Sequence, residues 1–524
     1  VLQRQTQVAA YWTTFQVTRA DLEYLFSLFL EDETPLTIRD LAMRLIRHRV
    51  SQEEERLRKL VARGKLFQPQ AAYEIGQELI FPVLDFSIGK VVGQRPGQNP
   101  DYGDFTVIEV EFENKQRREF ASMLQKPHAL SLDVAGGQKL GELPSIDADA
   151  IFEQYGESII EELEARLVDE PDVIYFAGKW FLKSLLPEIN VGHLHLAEAI
   201  LDINGGGPLP TATLLNDIEL PKEIPQTLKE FALGVAMSND ERFEDVGPAG
   251  QVHWYLRRLE PPEVLKIPPR LVYQPLDYDR SLLSDELLAL ERELDDEFSD
   301  LQPPATQPTE ATLTLIYPHR RVGTLPLSSR VQGLFPTALE SRRIRITFID
   351  GQTGAEFAGW VVREGLYVFG LDEFYRRHKL PVGAYVTVRA TDDPSKLIVD
   401  FEAHRPRTEY IRLAVPADNR LTFANFKRSI GAGYDELLIL GAEDLEGVDA
   451  VWASARDRRR GLVEIMRDLI PELAKLNPQN AVHAKTLYSA VNVVRRCPPG
   501  PIFAALVARP EFQHVGGPYW RLSS

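Results

Sequence analysis

Cysteine is almost absent: the 524 residues hold one, Cys497. That excludes a disulfide framework within the chain and any cysteine-rich zinc site, and it suits a reducing compartment. Long apolar runs are lacking too. Nothing approaches the ~18 consecutive apolar residues of a membrane helix, so no membrane partner is expected. Residues 1–10 carry no basic-plus-apolar signal pattern. There is no G-x-S-x-G and no kinase signature. Positive charge is also in deficit, with 59 Lys and Arg against 77 Asp and Glu, a net charge of −18. Taken whole, that balance argues against a nucleic-acid ligand, which usually meets a basic footprint. The length itself allows three or four domains.

The negative charge is not spread evenly. Residues 153–172 hold eight acids against Arg166, and residues 281–301 hold eight against Arg292, so each segment carries −7 of the total −18. Both place apolar residues at helical spacing: Ile159, Ile160, Leu163 and Leu167 in the first, Leu283, Leu287, Leu290 and Leu294 in the second. The pattern predicts two acidic amphipathic helices whose charged faces are solvated connectors. The stretch QPPATQPTEA at residues 302–311 predicts an extended linker dividing the chain into halves. Weaker boundaries are expected at residues 136–144 and 261–269.

A pattern recurs three times. An apolar helix (residues 22–30, 194–203, 462–476) leads into PLTIRDLAMRL, PLPTATLLNDI and AVHAKTLYSAV. Anchors fall at Leu36, Leu41 and Leu45, at Leu209, Leu214 and Ile218, and at Val482, Leu487 and Val491. Offsets of five and then four put an extended residue beside two neighbours on one helical face. Third helices are expected at residues 53–63, 225–237 and 501–508, followed by closing strands in KLFQPQAAYEI, RFEDVGPAGQVHWYLRRL and EFQHVGGPYWRLS. The last two share F-x-x-V-G…W-x-L (Phe243, Val246, Gly247, Trp254, Leu256; Phe512, Val515, Gly516, Trp520, Leu522). Three helices and a hairpin with a Gly-bearing tip resemble winged helix-turn-helix domains, and the third copy resembles the module of the bacterial RNA polymerase delta subunit. Local charge separates the copies: +5 over residues 36–68, −3 over 208–258 and +6 over 455–524. The outer two suit phosphate contacts and the middle one a protein.

Two β-rich stretches remain. In residues 77–135, strand-like runs separated by Gly, Pro and Asn turns follow Tyr73, Gly76 and Phe81-Pro82, and include Gly89-Lys90-Val91-Val92. This resembles a small SH3-like barrel, in particular the polymerase-interacting modules of bacterial transcription and transcription-repair coupling factors. In residues 312–403 the order of Asp350, Gly354, Trp360, Leu371, Phe374, Leu380, Gly383 and Val386 resembles the DNA-binding pseudobarrel of plant auxin-response factors and of restriction-enzyme effector domains. That resemblance implies strand-edge arms that grip DNA, where Arg320, Arg321, Arg330, Arg342, Arg343 and Arg345 stand. Residues 404–455 add strands and a short helix without an assigned role.

Catalytic constellations are sparse. His193 and His195 would share one face of a strand but lack a third ligand. Gly205-Gly206-Gly207 lacks the Lys-Ser/Thr of a phosphate loop and reads as a turn. Arg495 and Arg496 flank Cys497 and would lower its pKa, yet no base stands nearby. Asp101 with Glu113-Asn114-Lys115 spells a nuclease motif, but Asn114 belongs in a turn, not on a rigid strand.

The expectation is therefore an α+β multidomain chain of three winged-helix modules, one SH3-like small barrel and one β-pseudobarrel. Its parts are a winged helix (15–76), the small barrel (77–135), an acidic helix and strand connector (145–190), a winged helix (191–262), an acidic helix (281–301), the linker (302–311), the pseudobarrel (312–403), a β-rich extension (404–455) and a C-terminal winged helix (456–524). The expected function is non-enzymatic: a cytoplasmic or nucleoid-associated regulator of transcription or chromatin that binds double-stranded DNA, with no cofactor or metal. Its contacts would be Arg39, Arg56, Arg58 and Lys59; Arg320, Arg321, Arg342, Arg343 and Arg345; and Arg458, Arg459, Arg460, Lys485, Arg495 and Arg496. The alternatives are a protein-interaction scaffold, for example an RNA polymerase-associated factor that never touches DNA, and a restriction or defence component.

Overall fold

The computed structural model describes residues 6, 8–61, 65–81, 84, 87–126, 147–306, 308–339 and 341–523. The chain is mixed α and β, and none of its described helices is long and apolar enough to cross a membrane. It divides into two units, Val1–Pro187 with Lys222–Phe231, and Glu188–Pro221 with Ala232–Ser524. This corrects the division expected at residues 302–311. The described residues of that stretch are largely exposed, but both its flanks belong to the second unit. Residues 261–269 are also interior to that unit: Pro262 opens the one-turn helix Pro262–Leu265, and Val264 and Leu271 pack with Trp360 and Tyr367. The boundary expected at 136–144 lies outside the described residues.

In the first unit, helix Arg19–Asp32 opens with a capping box, the Asp21 N–H donating to the Thr18 hydroxyl (3.3 Å) and the Thr18 N–H to the Asp21 carboxylate (2.7 Å). Thr37 and Asp40 start helix Ile38–Val61 in the same way. Leu22, Leu25, Phe29, Leu41 and Leu45 are fully buried at helical spacing. The helix expected separately at residues 53–63 is the continuation of Ile38–Val61, because no Gly or Pro interrupts residues 38–61. Nor do the closing strands lie in residues 65–75. Leu36–Thr37 pairs with Lys179–Leu182, which pairs with Val173–Phe176. Helix Ala148–Val168 lies against Ile38–Val61, with Arg47 3.6 Å from Asp149 and the Arg39 guanidinium 4.6 Å from the Phe152 ring centre. The segment expected as a connector is thus the third helix and hairpin of the first copy.

Between its second and third helices sits an insertion. Strands Lys65–Leu66, Glu78–Phe81, Ser87–Pro96, Thr106–Phe112 and Arg117–Ser122 form one sheet in sequential order. Its core is aromatic, with the Phe81 ring 4.6 Å from Phe67 and 4.4 Å from Phe120. Such pairs add ~0.5–1.5 kcal/mol each beyond their buried area.

The other two copies repeat the order. One runs through helix Val191–Ile203, strand Leu209–Pro210, helices Thr211–Leu214 and Gln226–Ser238, and strands Phe243–Asp245 and His253–Leu256. The other runs through helix Leu462–Ala474, strand Val482–His483, helices Ala484–Val494 and Pro499–Ala508, and strands Phe512–Gly516 and Tyr519–Leu522. In all three copies the short first strand pairs with the last strand, giving the sheet order first, third, second. The anchors Leu214, Ile218, Val482, Leu487 and Val491 are buried. His193 and His195 lie on a helix, not a strand. His193 accepts the Asn190 N–H in a capping box (3.2 Å), and His195 stands 3.1 Å from Arg242.

Residues 310–401 of the second unit form a seven-stranded half-barrel, antiparallel except where Arg343–Asp350 runs parallel to Lys396–Phe401. Trp360, Leu371, Phe374, Leu380 and Val386 are core residues. Helix Tyr317–Val322 closes at Gly323 (φ +75°), whose Cβ would lie 2.5 Å from Asp372, so only glycine allows helix Asp372–Arg377 this close. The chain then makes a long ribbon, Ala403–Ala417 paired with Arg420–Ala432, turning at Asp418 and Asn419, both left-handed as a two-residue hairpin loop requires. Strand Leu440–Ala442 and helix Leu445–Asp457, capped by Asp444, complete the unit's middle.

Candidate nucleic-acid interface

The structure does not gather the predicted cations into one surface. Arg343 is buried, gripping Glu244 through two hydrogen bonds (2.9 and 2.8 Å) with Glu260 at 3.4 Å. The Glu260 carboxyl is pushed up to about 8 by burial and by Glu244. Arg345 lies over Trp360 (5.3 Å) and donates to the Ile346 carbonyl. Arg460 pairs with Glu464 and Asp468, and Arg495 donates to the Arg460 carbonyl (2.8 Å). Arg56 and Lys59 are exposed, Arg56 3.9 Å from the buried Glu53 and Lys59 3.9 Å from the exposed Glu55, the latter a loose surface pair of small worth. Arg342, Arg458 and Arg459 are exposed. The Arg58 side chain lies outside the described residues.

Lys485 and Arg496 depart furthest from expectation. Both are buried, at 4% and 3% exposure. Arg496 donates to Asp296 (2.7 Å) and lies 2.7 Å from Glu297, while Lys485 pairs with Glu293 (2.7 Å) and with Asp435. The expected phosphate contact is corrected for these two and for Arg343: each already holds carboxylates in the interior. The partners of Arg496 come from the second acidic segment, which is not the solvated connector expected. Helix Asp285–Leu294 is capped by Ser284. Beyond it Asp295 accepts from the Ser328 and Ser329 hydroxyls, Asp296 from the Tyr488 hydroxyl (2.5 Å), and Glu297 sits 3.1 Å from His319. Burial opposes ionisation of Glu297, but Arg496 and His319 overcome it and hold the carboxyl at about 2. For Lys485, burial opposes the charge and the two carboxylates restore it, leaving the pKa above the ordinary value.

The third helices of the repeated modules are poor phosphate binders. In Ala148–Val168 the apolar stripe Gly156, Ile159, Leu163 and Leu167 is buried and Glu153, Glu157, Glu161 and Glu164 are exposed. Gln226–Ser238 carries one Lys and one Glu. Pro499–Ala508 has no charged residue, and seven of its ten residues are buried, with Gly500 against Tyr278 and Glu291.

Exposed basic residues gather instead on the ribbon, where the sequence suggested no role. Over residues 403–432 there are six Lys and Arg against two acids. Arg405, Arg407, Lys427 and Arg428 are exposed. Tyr410, 67% exposed, lies directly across from Lys427, whose ammonium is 5.1 Å from its ring centre. The inner side is anchored by Ile411, Ile430 and Ile439. Arg412 turns inward to the carbonyls of Glu436, Leu437 and Ile439. The alternating basic and polar residues RPRTEY and NFKRS were the available signal, hidden because neither strand alone shows that the two pair into one ribbon.

The other candidates from the sequence settle simply. Cys497 is buried, and burial pushes its thiol up to about 12, against the lowering by Arg496. The depressed pKa expected from its arginine neighbours is corrected, since burial, helped by Asp296, outweighs the lowering by Arg496 and Arg495. Gly205, Gly206 and Gly207 form a left-handed turn. Glu113 and Lys115 stand on an exposed hairpin turn, where the Lys115 N–H donates to the Phe112 carbonyl (2.8 Å), and Asp101 lies in a separate loop. No family model, no curated protein and no solved structure matches the chain.

Proposed function

We propose that the chain is a non-enzymatic, nucleic-acid-binding regulatory protein, built from three winged-helix modules, an SH3-like insertion and a pseudobarrel. The threefold helix and strand order with its first–third–second sheet supports the winged-helix reading. In this reading the nucleic acid meets the ribbon and not the third helices. The observation that carries it is a two-stranded ribbon with exposed cations on both faces, Lys427 beside Tyr410 on one and Arg407 and Arg428 on the other, with Arg405 exposed near them. A β-ribbon fits a major groove, and cations on it contact phosphates while an exposed ring offers a stacking platform. Binding of the full chain to a labelled duplex, followed by fluorescence anisotropy across salt, tests it. Reversing Arg405, Arg407 and Lys427 to Glu is expected to flatten the slope of log K against log salt by about 3, at ~0.9 per lost phosphate contact. If reversal of Arg458 and Arg459 has that effect and the ribbon variant does not, the ribbon assignment fails.

A second reading, a protein-interaction scaffold, is favoured by the third helices: one exposes glutamates, one is nearly neutral and one is buried. Absence of any duplex affinity at low salt would promote it.

A further inference from the structure

A second basic feature of the second unit lies in a cleft of about 1120 Å³. It is walled by helices Tyr317–Val322, Asp372–Arg377 and Leu445–Asp457, by the loop after Pro262–Leu265, and by Arg428 of the ribbon. Seven Lys and Arg line it against three carboxylates, in a chain whose net charge is −18.

The cations divide into two groups. Four are neutralised locally. Arg270 and Arg321 share Asp449, Arg376 pairs with Asp372 (2.6 Å), and Arg456 pairs with Asp457 (2.9 Å). Arg270 and Arg456 also bracket the Trp452 ring, at 4.7 and 4.8 Å. The other three, Lys266, Arg320 and Arg428, have no carboxylate partner among the described residues. Arg320 is the informative one. Its Nε donates to the Leu380 carbonyl (2.8 Å) and its plane lies by the Tyr375 ring (5.6 Å), which fixes the guanidinium without neutralising it. Burial depresses its pKa; Tyr375 and Asp372 oppose that, and nearby Arg428 and Arg376 add to it. The buried Tyr317 hydroxyl, on a residue only 3% exposed, has no acceptor among the described residues, and Arg321 lies near it.

Holding like charges together, one of them half-buried, costs free energy that an anion would return. Orphan donors beside them ask for an acceptor. Arginine forks match the paired oxygens of a phosphate and bind it in two-bond geometry.

We propose that this cleft is a phosphate-binding site, in which Arg320 and Arg428 hold the phosphate of a phosphate ester, with Lys266 and the Tyr317 hydroxyl as further donors. The remainder of the ligand lies toward Trp452 and the apolar wall of Val382 and Leu440. The volume exceeds the ~300–1,000 Å³ of ordinary small-molecule sites, so an ester with bulk beyond its phosphate fits better than a bare ion. The phosphate can come from a nucleic-acid backbone or from a free nucleotide, and the chemistry of recognition is the same.

Calorimetric titration of the full chain with sodium pyrophosphate at low salt tests the site. One equivalent is expected to bind, about tenfold or more weaker in Arg428→Ala and in Lys266→Ala, as for loss of a charged hydrogen bond. Both side chains are exposed, so the fold should survive their loss. Arg509→Ala, a surface arginine outside the cleft, should leave the affinity unchanged. Competition assigns the source: displacement of pyrophosphate by a single-stranded oligonucleotide supports a backbone phosphate, and displacement by ATP alone a nucleotide. Absence of pyrophosphate binding to millimolar concentration, or binding unaffected by both cleft variants, overturns the proposal. The ribbon assignment is judged separately, because Arg405→Glu with Arg407→Glu changes duplex binding without touching a cleft residue.

Discussion

The two acidic segments, residues 153–172 and 281–301, carry the same charge of −7 and the same apolar spacing, yet the fold uses them in opposite ways. Helix Ala148–Val168 exposes Glu153, Glu157, Glu161 and Glu164 and buries only its apolar stripe. Helix Asp285–Leu294 and the residues after it bury Glu291, Asp295 and Asp296, and sink Glu297 between Arg496 and His319. Amphipathic spacing shows which residues can be buried together. It does not show whether the charges beside them face water or a cation. Desolvating a carboxylate costs several kcal/mol, and only a partner held in good geometry offsets that. For Glu297 and Asp296 the partner is Arg496, and for Glu291 it is Arg280. For the first helix no such cation is needed, since water supplies the solvation.

Removing the interior cation should have the largest effect on this contrast. Arg496→Met leaves Asp296 and Glu297 buried without their shared counter-charge, and about 3–5 kcal/mol of stability should be lost. A large fall in the denaturant midpoint for the second unit would show it. A midpoint equal to that of the parent chain would break the comparison.

A pH titration comes next. Glu297 is held at about 2 against an ordinary value of 4.5, so the folded state binds its proton more weakly than the unfolded chain. Its stabilisation is therefore complete above pH 4.5 and disappears as pH falls through the interval down to about 2. Glu297→Gln should flatten the acid limb of the unfolding curve in that interval. Glu157→Gln on the first helix should leave the limb where it was, and equal effects would erase the distinction between the segments.

The smallest effect is expected from the exposed acids. Glu157→Gln with Glu161→Gln should shift stability by less than ~0.5 kcal/mol per site, measurable as a nearly unchanged midpoint. A larger loss would mean that the first segment also carries hidden partners.

Much of the fold was legible because periodicity is local. The anchors Leu36, Leu41 and Leu45 and their counterparts announced the repeated helix pair, and the Gly and Asn turns outlined the inserted sheet. The third helix of the first copy was not legible, because the insertion separates it from the helix it packs against. The charge reading failed for the same reason of distance. Lys485 meets Glu293 across 192 residues and Arg496 meets Asp296 across 200. A local sum of +6 over residues 455–524 counted both as free cations. The ribbon was invisible for the converse reason: its basic residues sit on two strands and come together only when those strands pair, Tyr410 with Lys427 and Glu409 with Arg428.

The sequence by itself determined which segments would be helices, strands and turns, and which faces of them would be apolar, since those follow from spacing along the chain. The tertiary structure alone decided where each charge points. A cation buried against a distant carboxylate and a cation facing water are spelled alike, and only the assembled fold sets how much solvent each one keeps.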